Sequence, residues 1–298
     1  MGAAGVLQGM SAASVAVLLG QYQRFVSTLG NLPLGFTRHT RLTSHPPPVG
    51  MSRLALATLV VGVISGIIFI RPFFGNIIHS DPIITSSFFL GLIIMVGFLW
   101  LRSIARWNTG TLLCLLTGIA VSYAWTCLHP LQTPDHPLVA GVAGLLAGTT
   151  FVLPGVSDVF IALFFAKYRY IIASFGSLEF DVIIPFIAGV IVGTLAIARL
   201  LTQLLESYYH PVVALLAGWM IGSLNKLWPW RQVVEYTTTW EGIQIPAFEK
   251  SILPWRYLQI TGKDPQLLLA ILTMAAGVFI VVLVEKIAAR LKTKRSHG

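Results

Sequence analysis

Apolar residues fill long stretches of this chain, and polar residues gather between them. Six stretches approach the length of a membrane span: residues 54-70, 83-101, 110-128, 182-200, 211-228 and 267-284. A helix crossing the ~30 Å hydrocarbon core needs about 20 mostly apolar residues, so each reads as a spanning α-helix. Two regions break the pattern. Residues 138-175 hold two short apolar pieces around Pro154-Gly155-Val156-Ser157-Asp158, and residues 1-30 hold two around Gln8-Gly9-Met10-Ser11. Composition agrees with a membrane setting. Of 298 residues, 55% are hydrophobic and only 10% charged, with mean hydropathy +0.79, where a soluble domain carries about 25% charged residues. The expectation is an all-α polytopic membrane protein, a single transmembrane domain over 1-298.

The two irregular regions resemble each other. At an offset of 146, Gly9 meets Gly155, Ser11 meets Ser157, Tyr22 meets Tyr168 and Gly30 meets Gly176. At an offset of 127, Gly62-Val63-Ile64 meets Gly189-Val190-Ile191, Gly66 meets Gly193, and Gly91 meets Gly218. The ordered series points to an internal repeat, 1-128 and 138-285. If each broken region dips in and returns on the same side, each repeat has three full spans. An odd number inverts the second repeat relative to the first, as in many secondary transporters.

Charge sets the expected orientation. With residues 21-53 inside, the inner side collects twelve basic residues and the outer side eight, in the sense of the positive-inside rule. The loop 229-266 is then external, with Trp228, Trp230, Trp240 and Trp255 suited to an aromatic interface belt, and 286-298 is a basic cytoplasmic tail. The formal charge of +9 belongs to cytoplasmic loops and anionic lipid. No nucleic-acid motif accompanies it, so no nucleic-acid partner is expected. The first basic residue is Arg24, so no cleavable signal is expected. Cys114 and Cys127 are about 20 Å apart along one helix, too far for a disulfide. No metal or cofactor motif stands out. His129, Asp135 and His136 lie in a short Pro-rich loop without recognised ligand spacing and read as a connecting turn.

The breaks carry the chemistry. Pro154 lacks an N–H and Gly155 tolerates turn conformations. Ser157 or Asp158 can cap a new helix. The pattern predicts a helix over 138-153 and a second over about 159-175. Free backbone groups at membrane depth must lie inside protein or line a wet cavity. A helix N-terminus with free N–H groups and a hydroxyl is suited to an anion. Two such ends, from opposite faces, point to transport of an anionic group. A Pro kink satisfied by neighbouring helices is the other reading of either break alone.

The stretch "VLPGVSDVFIALFFAKY", followed by "LLAGWMIGSLNKLWPW", resembles the PopT family of polyprenyl-phosphate translocases, long a membrane family of unknown function. The likeness covers nearly the whole chain. It departs at the first break, where Gln8 stands for the family's proline and Ala12 and Ala13 for its glycines, and at Asp158, where glycine is usual. The resemblance implies recycling of undecaprenyl phosphate, the C55 lipid carrier, from the outer to the inner leaflet of the bacterial cytoplasmic (inner) membrane for cell-envelope glycan synthesis. The implied partners are that lipid or a related polyprenyl phosphate and the surrounding membrane lipids. The C-terminus would be cytoplasmic.

The candidate phosphate-binding residues are Gly9, Ser11, Gly155, Ser157, Arg24 and Arg199, with Pro154 as the backbone break. Simple capping competes for both serines. Snorkelling to the interface competes for Arg199 and a solvated loop position for Arg24. Asp158 is the acid expected deep in the membrane, and it is a candidate for proton coupling or a plain N-cap. Two alternatives remain. A membrane undecaprenyl-pyrophosphate phosphatase shares broken hairpins, but its arginine and second serine are replaced here by Asp158-Val159. A small-anion transporter would use the same helix ends.

Overall fold

The computed structural model describes residues 12–32, 61, 81–128, 133–155, 168–238 and 244–296. The expected span 54-70 lies outside them save for residue 61. So do Gly9, Ser11, Ser157 and Asp158.

Helices dominate, and they divide between two compact units, residues 1–71 with 133–213 and residues 72–132 with 214–298. The first unit contains α1 (Ala12–Leu18), α2 (Tyr22–Gly30), α5 (Pro137–Val152), α6 (Tyr168–Ser177) and α7 (Phe180–Ser207). The second contains α3 (Pro82–Arg102), α4 (Thr109–Cys127), most of α8 (Tyr209–Ser223), a 3₁₀ turn (Leu224–Leu227), strands β1 (Arg231–Thr238) and β2 (Gln244–Ser251), α9 (Pro254–Thr261) and α10 (Leu267–Ser296). Among the described residues, four helices are long and apolar enough to span a membrane: Pro82–Arg102, Thr109–Cys127, Phe180–Ser207 and Leu267–Ile287. The expected span 211-228 is shorter as a helix, because α8 ends at Ser223 and the chain tightens into the 3₁₀ turn.

In the first unit, α5 and α7 pack along a row of glycines. A Cβ on Gly144 would fall on the Phe186 carbonyl, and one on Gly148 on that of Val190. Conversely, a Cβ on Gly189 would meet Gly141 O, and one on Gly193 would meet Leu145 O. The partners rise in number together, so the two helices run parallel. Backbones this close replace the missing hydrophobic drive between helices in lipid with direct packing. Thr194 Oγ1 adds a bond to Gly148 O at 3.2 Å. Parallel packing has a topological consequence: the segment 153–179 brings the chain back to the end where α5 began. That return closes on a turn in which Leu178 takes φ +57. There the Glu179 carboxylate accepts bonds from Ser174 Oγ (2.8 Å) and Ser177 Oγ (2.9 Å). His136 caps the start of α5, its Nδ1 accepting the Leu138 N–H at 3.2 Å, which makes it part of a connecting turn.

In the second unit two helix pairs use the same device. On α3 and α10, a Cβ at Gly91 would fall on Met274 O, and one at Gly277 on Phe88 O and Leu92 N. On α4 and α8, a Cβ at Gly218 would fall on Leu115 O, and one at Gly118 on Leu215 O and Trp219 N. Adding 127 to Phe88, Gly91 and Leu92 gives Leu215, Gly218 and Trp219; adding 159 to Leu115 and Gly118 gives Met274 and Gly277. The same glycine-to-carbonyl contacts thus recur in the two crossings.

The 229-266 segment is ordered where described. β1 and β2 pair antiparallel, from Arg231↔Ser251 to Thr238↔Gln244. Trp230, 5% exposed, packs with Ile252, Ile83 and Ala270 and donates Nε1–H to Pro265 O at 2.8 Å. Trp228 donates to Ile252 O at 2.7 Å, and the two indoles meet edge-on. Trp230 fills the core of a cap and Trp228, half-buried, packs against it; of the expected belt, Trp255 is exposed and Trp240 lies outside the described residues. Ile83 and Ala270 share one cluster, and Gly91 and Gly277 one crossing, so α3 and α10 run parallel. Arg102 and the basic residues late in α10 therefore share the end opposite the cap. Cys114 and Cys127 are free thiols on α4.

Candidate functional site

The helix predicted over 138-153 ends at Val152, 16 residues and about 24 Å from its start. Gly148 lies against Thr194, so one turn on, Val152 falls level with Ala198, about 13 Å short of the end of α7. The interruption is thus well inside the helical layer, where freed backbone groups need partners.

They find them in α1 and α2, more than 100 residues away in sequence. Tyr22 donates its phenol O–H to Val152 O at 3.1 Å, in a buried setting. One turn further along α2, Phe25 packs on Phe151 with ring centroids 6.1 Å apart. Beyond the helix, Leu153 is extended and Pro154 is fully buried. Gly155 takes φ +93, a conformation that L side chains rarely adopt. Its N–H donates to Ser14 Oγ at 3.0 Å. Ser14 itself is fully buried, as are Ala12, Ala13 and Ala16 beside it. The small residues of α1 are what let this backbone approach.

Arg199, a candidate phosphate ligand, does not stand at the end of its helix. α7 continues past it to Ser207. Its Nε donates to Gly30 O and its Nη2 to Leu32 O, both at 3.2 Å. These are carbonyls left free at the end of α2, where a cation also meets the negative pole of the helix. Gly30 is required at this crossing, because a Cβ there would press on Thr202 Oγ1 and Ala198 O at 2.8 and 3.0 Å. Arg24 lies in the first turn of α2 and is exposed. Its carbonyl accepts Thr28 Oγ1 at 2.7 Å. Arg24 and Gly30 are six residues apart on α2, about 9 Å, so the two arginines flank opposite ends of one short helix.

Of the predicted residues, the structure brings Pro154 and Gly155 against α1 and seats Arg199 at the end of α2. Ser14 and Tyr22 are additions. Tyr22 carried a signal in its match to Tyr168; Ser14, one helical turn past Ser11, carried none, since a serine among alanines is unremarkable in a membrane helix.

A multi-pass helical membrane protein with an interrupted helix, its freed groups met by a second short-helix pair, is the class that these features define. The chain belongs to the undecaprenyl phosphate translocase-like family, which its residues 1–245 match. It is similar to the polyprenyl-phosphate transporter of Vibrio cholerae serotype O1, 28% identical over 294 residues that cover 97% of this chain and 94% of the relative. No solved structure matches it.

Proposed function

We propose that this protein carries undecaprenyl phosphate, or a related polyprenyl phosphate, across the bacterial cytoplasmic membrane, returning the phosphate headgroup from the outer to the inner leaflet for cell-envelope glycan synthesis. The observation that carries the reading is the pairing of the interrupted segment at Leu153–Gly155 with α1 through Ser14 and Tyr22. The Leu153–Gly155 segment is thereby held beside α1 and α2 in one unit. Family membership and the relative's name support the substrate class. The counterpart crossings at Gly91–Gly277 and Gly118–Gly218 support an internal repeat. The return of the chain between parallel α5 and α7 supports a re-entrant first piece in repeat two. An inverted relation of the repeats, with the C-terminal tail cytoplasmic, completes the proposal.

The chemistry required is modest. The isoprenoid tail stays in lipid, and the protein shields one phosphate. Ser11 and Ser157 supply hydroxyls and the helix starts beside them supply backbone N–H groups to its oxygens, while Gly9 and Gly155 shape the backbone around it, because helix N-termini and charge-assisted bonds favour an anion in a low-dielectric site. Arg24, exposed at the start of α2, receives the headgroup. Arg199 holds α2 in place through its carbonyl bonds and brings positive charge to the same unit. Asp158 beside the anion site repels phosphate when ionised and not when protonated, which couples the passage of the headgroup to a proton. The test uses purified protein in liposomes with labelled undecaprenyl phosphate, following its exchange between leaflets. Protein-dependent exchange, slowed at least tenfold by Ser157→Ala, is the expected result; no exchange with or without a pH gradient overturns the reading. Asp158→Asn that retained the full pH dependence would remove the coupling alone.

A further inference from the structure

The cap of the second unit presents a surface that transport of the substrate does not explain. α9 turns one face inward, where Tyr257 packs on the Trp230 cluster. Its opposite face carries Trp255 and Leu258, 63% and 49% exposed, at the i, i+3 spacing that makes them neighbours. A large exposed indole beside a leucine is a liability in water and an asset at a bilayer surface. The level of the helix fits. Gly262, at φ +67, ends α9, and α10 begins five residues later at Leu267 with Leu267, Leu268 and Leu269 all exposed. α9 therefore sits within a few residues of the start of an apolar span.

Beside α9 lies an open cleft of about 370 Å³, walled by Trp228 and Leu253 and carrying Gln232, Lys250, Ser251 and Arg256. Both cations are exposed. The acids of the cap whose side chains are described are committed elsewhere. Glu249 is bonded to Arg231 at 3.0 Å, and Asp264 Oδ1 accepts the Gln266 N–H at 3.0 Å. Arg231 also donates to the carbonyls of Trp228 and Asn225, so the ion pair on that side knits the hairpin together. The cleft is left with a net positive wall.

We propose that α9 lies in the headgroup layer with Trp255 and Leu258 toward the acyl chains, and that the cleft binds the phosphodiester of an anionic membrane phospholipid between Lys250 and Arg256. The charge of the two cations matches the phosphodiester, and the apolar face of the adjoining helix supplies the contact with the acyl chains of the same lipid. The site anchors the cap to the leaflet.

The full-length protein, with Cys114 and Cys127 replaced by serine and a nitroxide attached at Leu258→Cys, is reconstituted in phosphatidylcholine vesicles with or without phosphatidylglycerol. Collision with oxygen is compared with collision with a water-soluble nickel chelate. The expected result is a label severalfold more accessible to oxygen in both vesicle types, and moved deeper by phosphatidylglycerol. Lys250→Gln with Arg256→Gln, both at exposed positions, abolishes the phosphatidylglycerol effect and leaves the label in the membrane. A label in water in both vesicle types overturns the interfacial helix, a reading that needs no charge variant. A phosphatidylglycerol effect that survives the double substitution overturns the cleft. So does displacement of the effect by trace undecaprenyl phosphate, which would reassign the cleft to the transported lipid.

Discussion

The α5–α7 pair and the α3–α10 pair are packed by the same means and end differently. In both, glycine removes the Cβ that would strike the partner's carbonyl. In α3 and α10 the helices run on through the crossing, 21 and 30 residues long. In the first pair, α5 stops after 16 residues while α7 continues, and the groups freed at Val152 and Gly155 are bonded by Tyr22 and Ser14. An uninterrupted helix satisfies its own backbone wherever it lies in lipid. An interrupted one depends on a partner, and the partner here comes from more than 100 residues away in the chain. The glycine crossings are therefore scaffold in both units, and the polar dependence of the first pair sets it apart from a place of packing alone.

The sharpest way to break this comparison is to wedge the first pair apart. Gly193→Leu puts a branched side chain against the Leu145 backbone, which cannot give as a flexible side chain can. We expect loss of the monodisperse folded protein on size exclusion in detergent. Gly97→Leu, where nothing lies within 4 Å of the added Cβ, should express and elute as the parent does. A smaller and more telling effect is expected from the second pair and its counterpart. Gly91→Ala and Gly218→Ala should each destabilise by about 1–3 kcal/mol, the usual range for overpacking, and lower the thermal midpoint by equal amounts. Clearly unequal shifts would break the equivalence of the two crossings.

The smallest effects are expected at the break itself. Ser14→Ala leaves the Gly155 N–H without its partner, a loss of about 1–3 kcal/mol. Tyr22→Phe removes one neutral hydrogen bond, about 1 kcal/mol. Thermal unfolding reads both, and leaflet exchange of labelled undecaprenyl phosphate should fall more than stability does. A matched, merely proportional fall would make these residues packing partners of the same kind as the glycines.

Much of this was legible beforehand because of how membranes restrict a chain. Lipid offers no hydrogen bonds, so a helix must be apolar and long, and such stretches announce themselves: α3, α4, α7 and α10 fall where the pattern placed them. Pro154 and Gly155 announced the break for the same reason, as residues that cannot extend a helix. The Trp-rich loop was less transparent. A tryptophan reads alike whether it anchors at an interface, as Trp255 is placed to do, or fills a cap, as Trp230 does. Only the pairing of β1 with β2 buries one and leaves the other out. Arg199 shows the same limit, since its position beside an apolar run did not reveal that α7 continues or that the carbonyls of Gly30 and Leu32 lie within its reach.

What the sequence by itself determined is where helices run and where one stops, because these depend on local composition and spacing. Only the tertiary structure decided which distant groups meet at the stop. Ser14 and Tyr22 are separated from their partners by 141 and 130 residues, and a hydrogen bond is satisfied by proximity in space, which no local pattern encodes.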